Sequence, residues 1–267
     1  MRADRGRCAS RARVLWGLTA ASLLAVAAPA RALDHDNLDT GRPLRLEDAY
    51  PIAKGEAGLE SGLAVRDRRG DGSGYGFEVR AVYGLLYNTQ VEIGGDVVFE
   101  GSSAAPTDRS GAATVGVLYN VNTETLALPA FAVRGDVAAP SGAGSTGVDV
   151  SVGAIMTRTV GRLRTHINLG YANAGSAAAG ERGGRYQAAV GASYPLGYPV
   201  RFRETLIVDA FTNQSAASGD PNTTGLEVGI RHQLSPRIVL DVGVGTETSG
   251  PADRSAAYGT VGFAVGF

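Results

Sequence analysis

Past residue 32 the chain contains no cysteine, no tryptophan and no long apolar run; its one cysteine is Cys8 and its one tryptophan is Trp16. A thiol-free main part has no disulfide framework and no cysteine nucleophile. Charge of one sign is missing as well. With a formal net charge of −1, nothing points to nucleic acid or another polyanion as a partner. Histidine is scarce: His35, His166 and His232 are the three present. No metal-ligand spacing links them, so neither a metal nor a cofactor is expected, and His35 reads as a tail residue. Aromatics make up only 7% of the chain, whereas glycine, at 38 residues, is about twice as frequent as usual. Glycine at this level without a collagen period fits many strands and turns.

The first 32 residues form an export signal. Arg2, Arg5, Arg7, Arg11 and Arg13 supply a basic start, residues 14–28 an apolar stretch, and Ala30-Arg31-Ala32 a small-x-small cleavage site. The apolar stretch is about 15 residues, short of the ~20 that a spanning helix needs. The expected division is a cleaved Sec signal over 1–32, an N-terminal segment over 33–53 and a membrane barrel over 54–267.

From there the side chains alternate. Tyr75, Phe77, Val79, Ala81 and Tyr83 share one face, and Gly76, Glu78, Arg80 and Val82 the other. Such a period of two is the signature of a strand with one apolar and one polar face. Strands are expected at 56–66, 75–84, 89–99, 112–121, 128–138, 147–157, 163–172, 185–194, 200–211, 224–234, 238–247 and 257–267. Most are about ten residues long, the length at which a tilted strand crosses a bilayer. The expected connections alternate between short turns (84–88, 122–127, 158–162, 195–199, 235–237) and long polar loops (67–74, 100–111, 139–146, 173–184, 212–223, 248–256), as in bacterial outer-membrane barrels. One stretch resists: in 201–209 either parity turns a charge toward lipid. Placing Phe202, Leu206 and Val208 outward leaves Glu204 awkward, with a bulge nearby expected. A weak repeat aligns Gly76-Phe77-Glu78-Val79 with Gly225-Leu226-Glu227-Val228, so acids recur on the same face of two hairpins.

Three features favour lipid outside over a soluble sandwich. Apolar-face aromatics fall at strand ends: Tyr83, Tyr119, Tyr194 and Phe202 at the short-turn end, Tyr75, Phe99, Tyr171 and Tyr186 at the other, as two girdles. The chain closes on Val261, Phe263, Val265 and Phe267, one face ending in an aromatic, which outer-membrane assembly machinery recognises. The polar face carries both signs (Glu60, Glu78, Arg80, Glu92, Asp96, Arg134, Asp136, Asp149, Arg164, His166, Glu227, Arg231 and Asp241), too many charges for a dry core. The fold class is therefore an all-β, transmembrane, antiparallel up-and-down barrel of about twelve strands, monomeric and surrounded by outer-membrane lipid.

Two stretches resemble a known family. Residues 39–52 (DTGRPLRLEDAYPI) with Lys54-Gly55-Glu56, and residues 225–237 (GLEVGIRHQLSPR), are similar to the outer-membrane "meta-pathway of phenol degradation" transporter-like proteins. The resemblance implies an outer-membrane barrel passing small hydrophobic or aromatic compounds, and no catalytic residues.

The lumen carries the functional expectation. Glu78, Arg80, Glu92, Asp96, Arg134, Asp136, Arg164, Glu227, Arg231 and Asp241 are the candidate lining residues of a channel for a solute the sequence does not name. Inward Gly58, Gly62, Gly94, Gly153, Gly191 and Gly243 make room, whereas paired charges brace. Segment 33–53 either enters the lumen as a partial plug or stays a periplasmic tail. Two rivals stand beside the channel: a closed structural barrel, and a lipid hydrolase using His232 or His166, the latter expected near Ser151 and Asp149.

Overall fold

The structure is a computed structural model that describes residues 35–38, 41–70, 72–102, 105–142, 147–197 and 202–267, without the side chains of 100–109, 141 and 142. The export signal expected over 1–32 lies outside the described residues.

Twelve strands follow one another: β1 Ala57–Arg68, β2 Ser73–Leu86, β3 Thr89–Ser102, β4 Ala105–Asn122, β5 Ala130–Gly142, β6 Asp149–Val160, β7 Leu163–Asn173, β8 Gly184–Leu196, β9 Glu204–Asn213, β10 Thr223–Ser235, β11 Ile238–Ser249 and β12 Ser255–Gly266. Each pairs antiparallel with its sequence neighbours, and β1 pairs with β12 to close the barrel. Closure satisfies the backbone groups of every strand and leaves no sheet edge. The C-terminal face takes part in it directly, with Leu59 opposite Val265, Ser61 opposite Phe263 and Leu63 opposite Val261.

Parity sorts the side chains as the lipid argument requires. Phe77, Ile93, Val115, Val133, Val152, Leu169, Val190, Val228, Val242 and Val261 all stand exposed on the outside. An apolar belt around the whole circumference far exceeds the few hundred Å² that a soluble monomer leaves bare. Glu204 also stands on the outer face, but at the short-turn rim, where His232 Nδ1 lies 3.0 Å from its Oε1. The awkward charge is thus paired at headgroup level. The bulge expected beside it is absent from the β9 pairings; the nearby register shift falls between Gln233 and Ser235 of β10. Phe202 departs from the expected lipid girdle. It precedes β9 and meets the His35 ring edge-on, centroids 4.9 Å apart.

The connections are less uneven than alternation alone suggested. β3 and β4 stay paired out to Ser102 opposite Ala105, so most of the loop expected over 100–111 is strand. Backbone hydrogen bonds do not stop at the membrane edge; polar residues in water extend the ladder where nothing breaks it.

Candidate functional site

The core of this protein lies inside its barrel, and the N-terminal segment supplies much of it. Residues 35–38 and 41–53 form a plug that enters and leaves at the short-turn end. His35 and Asp36 sit against Thr205, the chain turns at mid-lumen around Gly41 (φ +81), and Ile52 returns to Gln90. Leu38, Leu44 and Leu46 pack on Ala189, Ile207 and Phe211, while Ala49 packs on Leu118, Ala130, Ala132 and Ile155. Burying each leucine contributes roughly 1.5–3 kcal/mol.

Of the six inward glycines, Gly62, Gly191 and Gly243 lie against this plug, whereas Gly94 and Gly153 abut the barrel wall itself. A Cβ on Gly243 would lie 2.7 Å from the Pro43 carbonyl oxygen, and one on Gly191 would lie 2.6 Å from Leu46 Cδ1. Between these contacts polar bonds fix the register. Asn168 grips both backbone polar groups of Glu47: Glu47 N donates to Asn168 Oδ1 and Asn168 Nδ2 donates to Glu47 O, both at 2.8 Å. Thr157 Oγ1 accepts from Ala49 N at 3.0 Å, and Asn120 Nδ2 donates to Ala49 O at 2.6 Å. The plug also ties to itself, Leu38 N donating to Asp48 Oδ2 at 3.1 Å.

All ten candidate lining residues face this interior, and six of them touch the plug. Glu78 and Asp241 hold Arg42 at 3.2 and 3.1 Å, and Glu227 holds Arg45 at 3.1 Å. Arg134 reaches Glu47 at 2.7 Å and also binds Glu92 and Asp136. Arg164 donates to Asp36 O at 2.9 Å and lies 3.8 Å from Asp48; Arg231 donates to Asn37 O. Arg80 pairs with Glu92 at 3.4 Å, and Asp96 lines a cavity on the long-loop side. The two aligned acids of the repeat, Glu78 and Glu227, each receive one plug arginine.

Other participants were invisible to sequence reasoning. Arg42, Arg45, Glu47 and Asp48 come from the plug, and Asp209 and Tyr258 flank Glu227, to which Tyr258 donates a hydrogen bond. Arg45 also stacks over Phe211, 4.0 Å from its ring centre. One signal was available: the inward strand positions hold twice as many acids as arginines, a surplus that needs cations from elsewhere. His35, read as a tail residue, is buried. The His166 grouping also differs from expectation. Its partners are Thr157 and Ser193, each at 3.2 Å, whereas Ser151 donates to Asp136. His166 is wholly enclosed, with no Asp149 beside it to complete a triad.

Space remains around the plug. Cavities of about 230 and 290 Å³ lie on its long-loop side, both bordered by Gly41 and Arg45. A third, about 450 Å³, opens at the short-turn end between Asp36, Arg162, Arg164 and Phe202.

The class these features define is the outer-membrane type of closed, twelve-stranded antiparallel barrel. Among solved structures, the COG4313 outer membrane channel from Pseudomonas putida F1 is similar at TM-score 0.63 and 12% identity, over 86% of this chain and all of that one. The KdgM porin follows at TM-score 0.53 and 10% identity, over 79% and 99% of the two chains. The transport unit of the autotransporter AIDA-I from Escherichia coli gives 0.50 and 13%, over 83% and 93%. At these identities the likeness is one of fold. No family model and no curated protein sequence matches the chain.

Proposed function

We propose that this protein is an outer-membrane channel for small organic solutes, closed at rest by its own residues 35–38 and 41–53 and conducting when that segment shifts. One observation carries the reading. Residues 35–38 and 41–53 fill much of the lumen and are tied to the wall through side chains, and the wall glycines Gly62, Gly191 and Gly243 lie directly against them. Two of the similar folds bear the names of a channel and a porin, which supports the same reading. The resemblance of residues 39–52 and 225–237 to the phenol meta-pathway transporters makes hydrophobic or aromatic compounds the proposed cargo. A closed structural barrel is the competing reading, favoured by the density of plug contacts.

Planar-bilayer recording separates the two. A channel shows steady openings whose ion selectivity shifts when Glu78 and Asp241 are replaced by lysine; a silent barrel, or unchanged selectivity, sinks the lumen pathway. Slower growth of a deletion strain on aromatic carbon sources tests the cargo.

A further inference from the structure

The wall around Arg42 is built for a guanidinium. Arg42 reaches it from the plug, and its side chain is 4% exposed there. Glu60 of β1 lies 3.3 Å from Nη2, Glu78 of β2 lies 3.2 Å from Nε, and Asp241 of β11 lies 3.1 Å from Nη1. Nη1 also donates to the carbonyls of Ser61 and Phe263, both at 3.1 Å. Nη1 thus donates to three acceptors, Nε faces the Glu78 carboxylate, and Nη2 lies within ion-pair range of Glu60 without a hydrogen bond. Acceptors set around several edges of one plane suit a guanidinium fork better than an ammonium group. Space has been left for the same group. A Cβ on Gly62 would come within 2.7 Å of Arg42 Cδ, and one on Gly262 within 2.6 Å of Nη1. The charges match too: three carboxylates surround Arg42, while Arg80, near Glu60 and Glu78, is itself drawn to Glu92 at 3.4 Å, and Asp241 stands opposite Arg231 in the β10–β11 register. An acidic cluster alone would take any cation. The two carbonyls and two glycines shape this one around a flat, multiply donating group.

We propose that this wall is a binding site for guanidinium and alkylguanidinium solutes, which Arg42 fills as a tethered occupant, so that a free ligand of this class and the seated plug exclude one another. The binding claim stands on the wall geometry; only its consequence for current rests on the channel reading. A tethered occupant competes at an effective concentration of about millimolar, so the site is tested with Arg42 removed.

The full-length Arg42→Ala protein is refolded and its thermal midpoint followed by heat-modifiability gel against agmatine, at constant ionic strength. Agmatine is expected to raise the midpoint saturably in the millimolar range. Putrescine, its diamine counterpart, should need roughly tenfold more, because it lacks the fork. The Arg42→Ala/Glu78→Gln/Asp241→Asn protein should not respond. If Arg42→Ala folds poorly, restoration of its folded band by agmatine, absent from the triple variant, is the same result. No saturable response, a response equal to putrescine's, or one that survives in the triple variant overturns the proposal. In bilayers agmatine should also reduce the Arg42→Ala current; a silent barrel that agmatine still stabilises would leave the site standing and sink the channel.

Discussion

Two stretches of the plug, residues 42–45 and 47–48, meet the wall with opposite charge. On the first, Arg42 and Arg45 bring cations to acids of β1, β2, β10 and β11. On the second, Glu47 and Asp48 bring acids to Arg134 of β5 and Arg164 of β7. The two arcs lie on different sides of the barrel. A plug seated back to front would place like charges together, so the pairing selects one orientation as well as holding it. Buried ion pairs contribute more surely to such selection than to net stability, because desolvation offsets most of their attraction.

Removing the cation at the centre of either set of pairs tests this most severely. Arg134→Ala leaves Glu47, Glu92 and Asp136 without the guanidinium they share, and Arg42→Ala does the same to Glu60, Glu78 and Asp241. Each should destabilise the folded barrel by about 3–5 kcal/mol, read as a lower melting temperature by heat-modifiability gel. Reversing both partners, Arg134→Glu with Glu47→Arg, should recover part of the loss if orientation follows charge; no recovery breaks the comparison.

Next in size is Gly243→Val, which drives a side chain into the Pro43 carbonyl. It should cost about 1–3 kcal/mol and raise single-channel conductance by unseating the 42–45 stretch. Asn168→Ala removes both bonds to the Glu47 backbone and should cost about 1–3 kcal/mol, loosening the 47–48 stretch alone. Equal effects of these two substitutions on conductance would show that the two stretches do not act separately.

The smallest effect is expected at Glu124, in the turn after β4. Burial pushes its carboxyl up, but hydrogen bonds from Thr159 and the Arg158 charge outweigh this and hold it below the usual glutamate value. A depressed carboxyl stabilises above its unfolded value and loses that contribution as pH falls through the folded one. Glu124→Gln should therefore lower stability slightly at neutral pH, converge on the parent protein at acid pH, and so flatten the acid end of the stability profile.

Strands were legible because lipid on one side and a polar lumen on the other impose a period of two on every crossing segment. The plug was not, because its contacts lie far off in sequence: Arg42 with Asp241, His35 with Thr205. No local pattern distinguishes such a segment from a tail, and both readings stayed open. The His166 grouping was within reach. The tight turn at Gly161 sets Thr157 opposite His166 and Ser151 opposite Ala172, so counting back from that turn excludes Ser151. The β3–β4 boundary was missed because the eye stops a strand at polar residues, whereas the ladder stops only where pairing fails.

Because the plug enters and leaves by the same mouth, no free end has to be threaded through the bore for the lumen to be filled or vacated. Unseating can run like a zip from His35, breaking one grip at a time, while Ala57 stays stitched into the sheet.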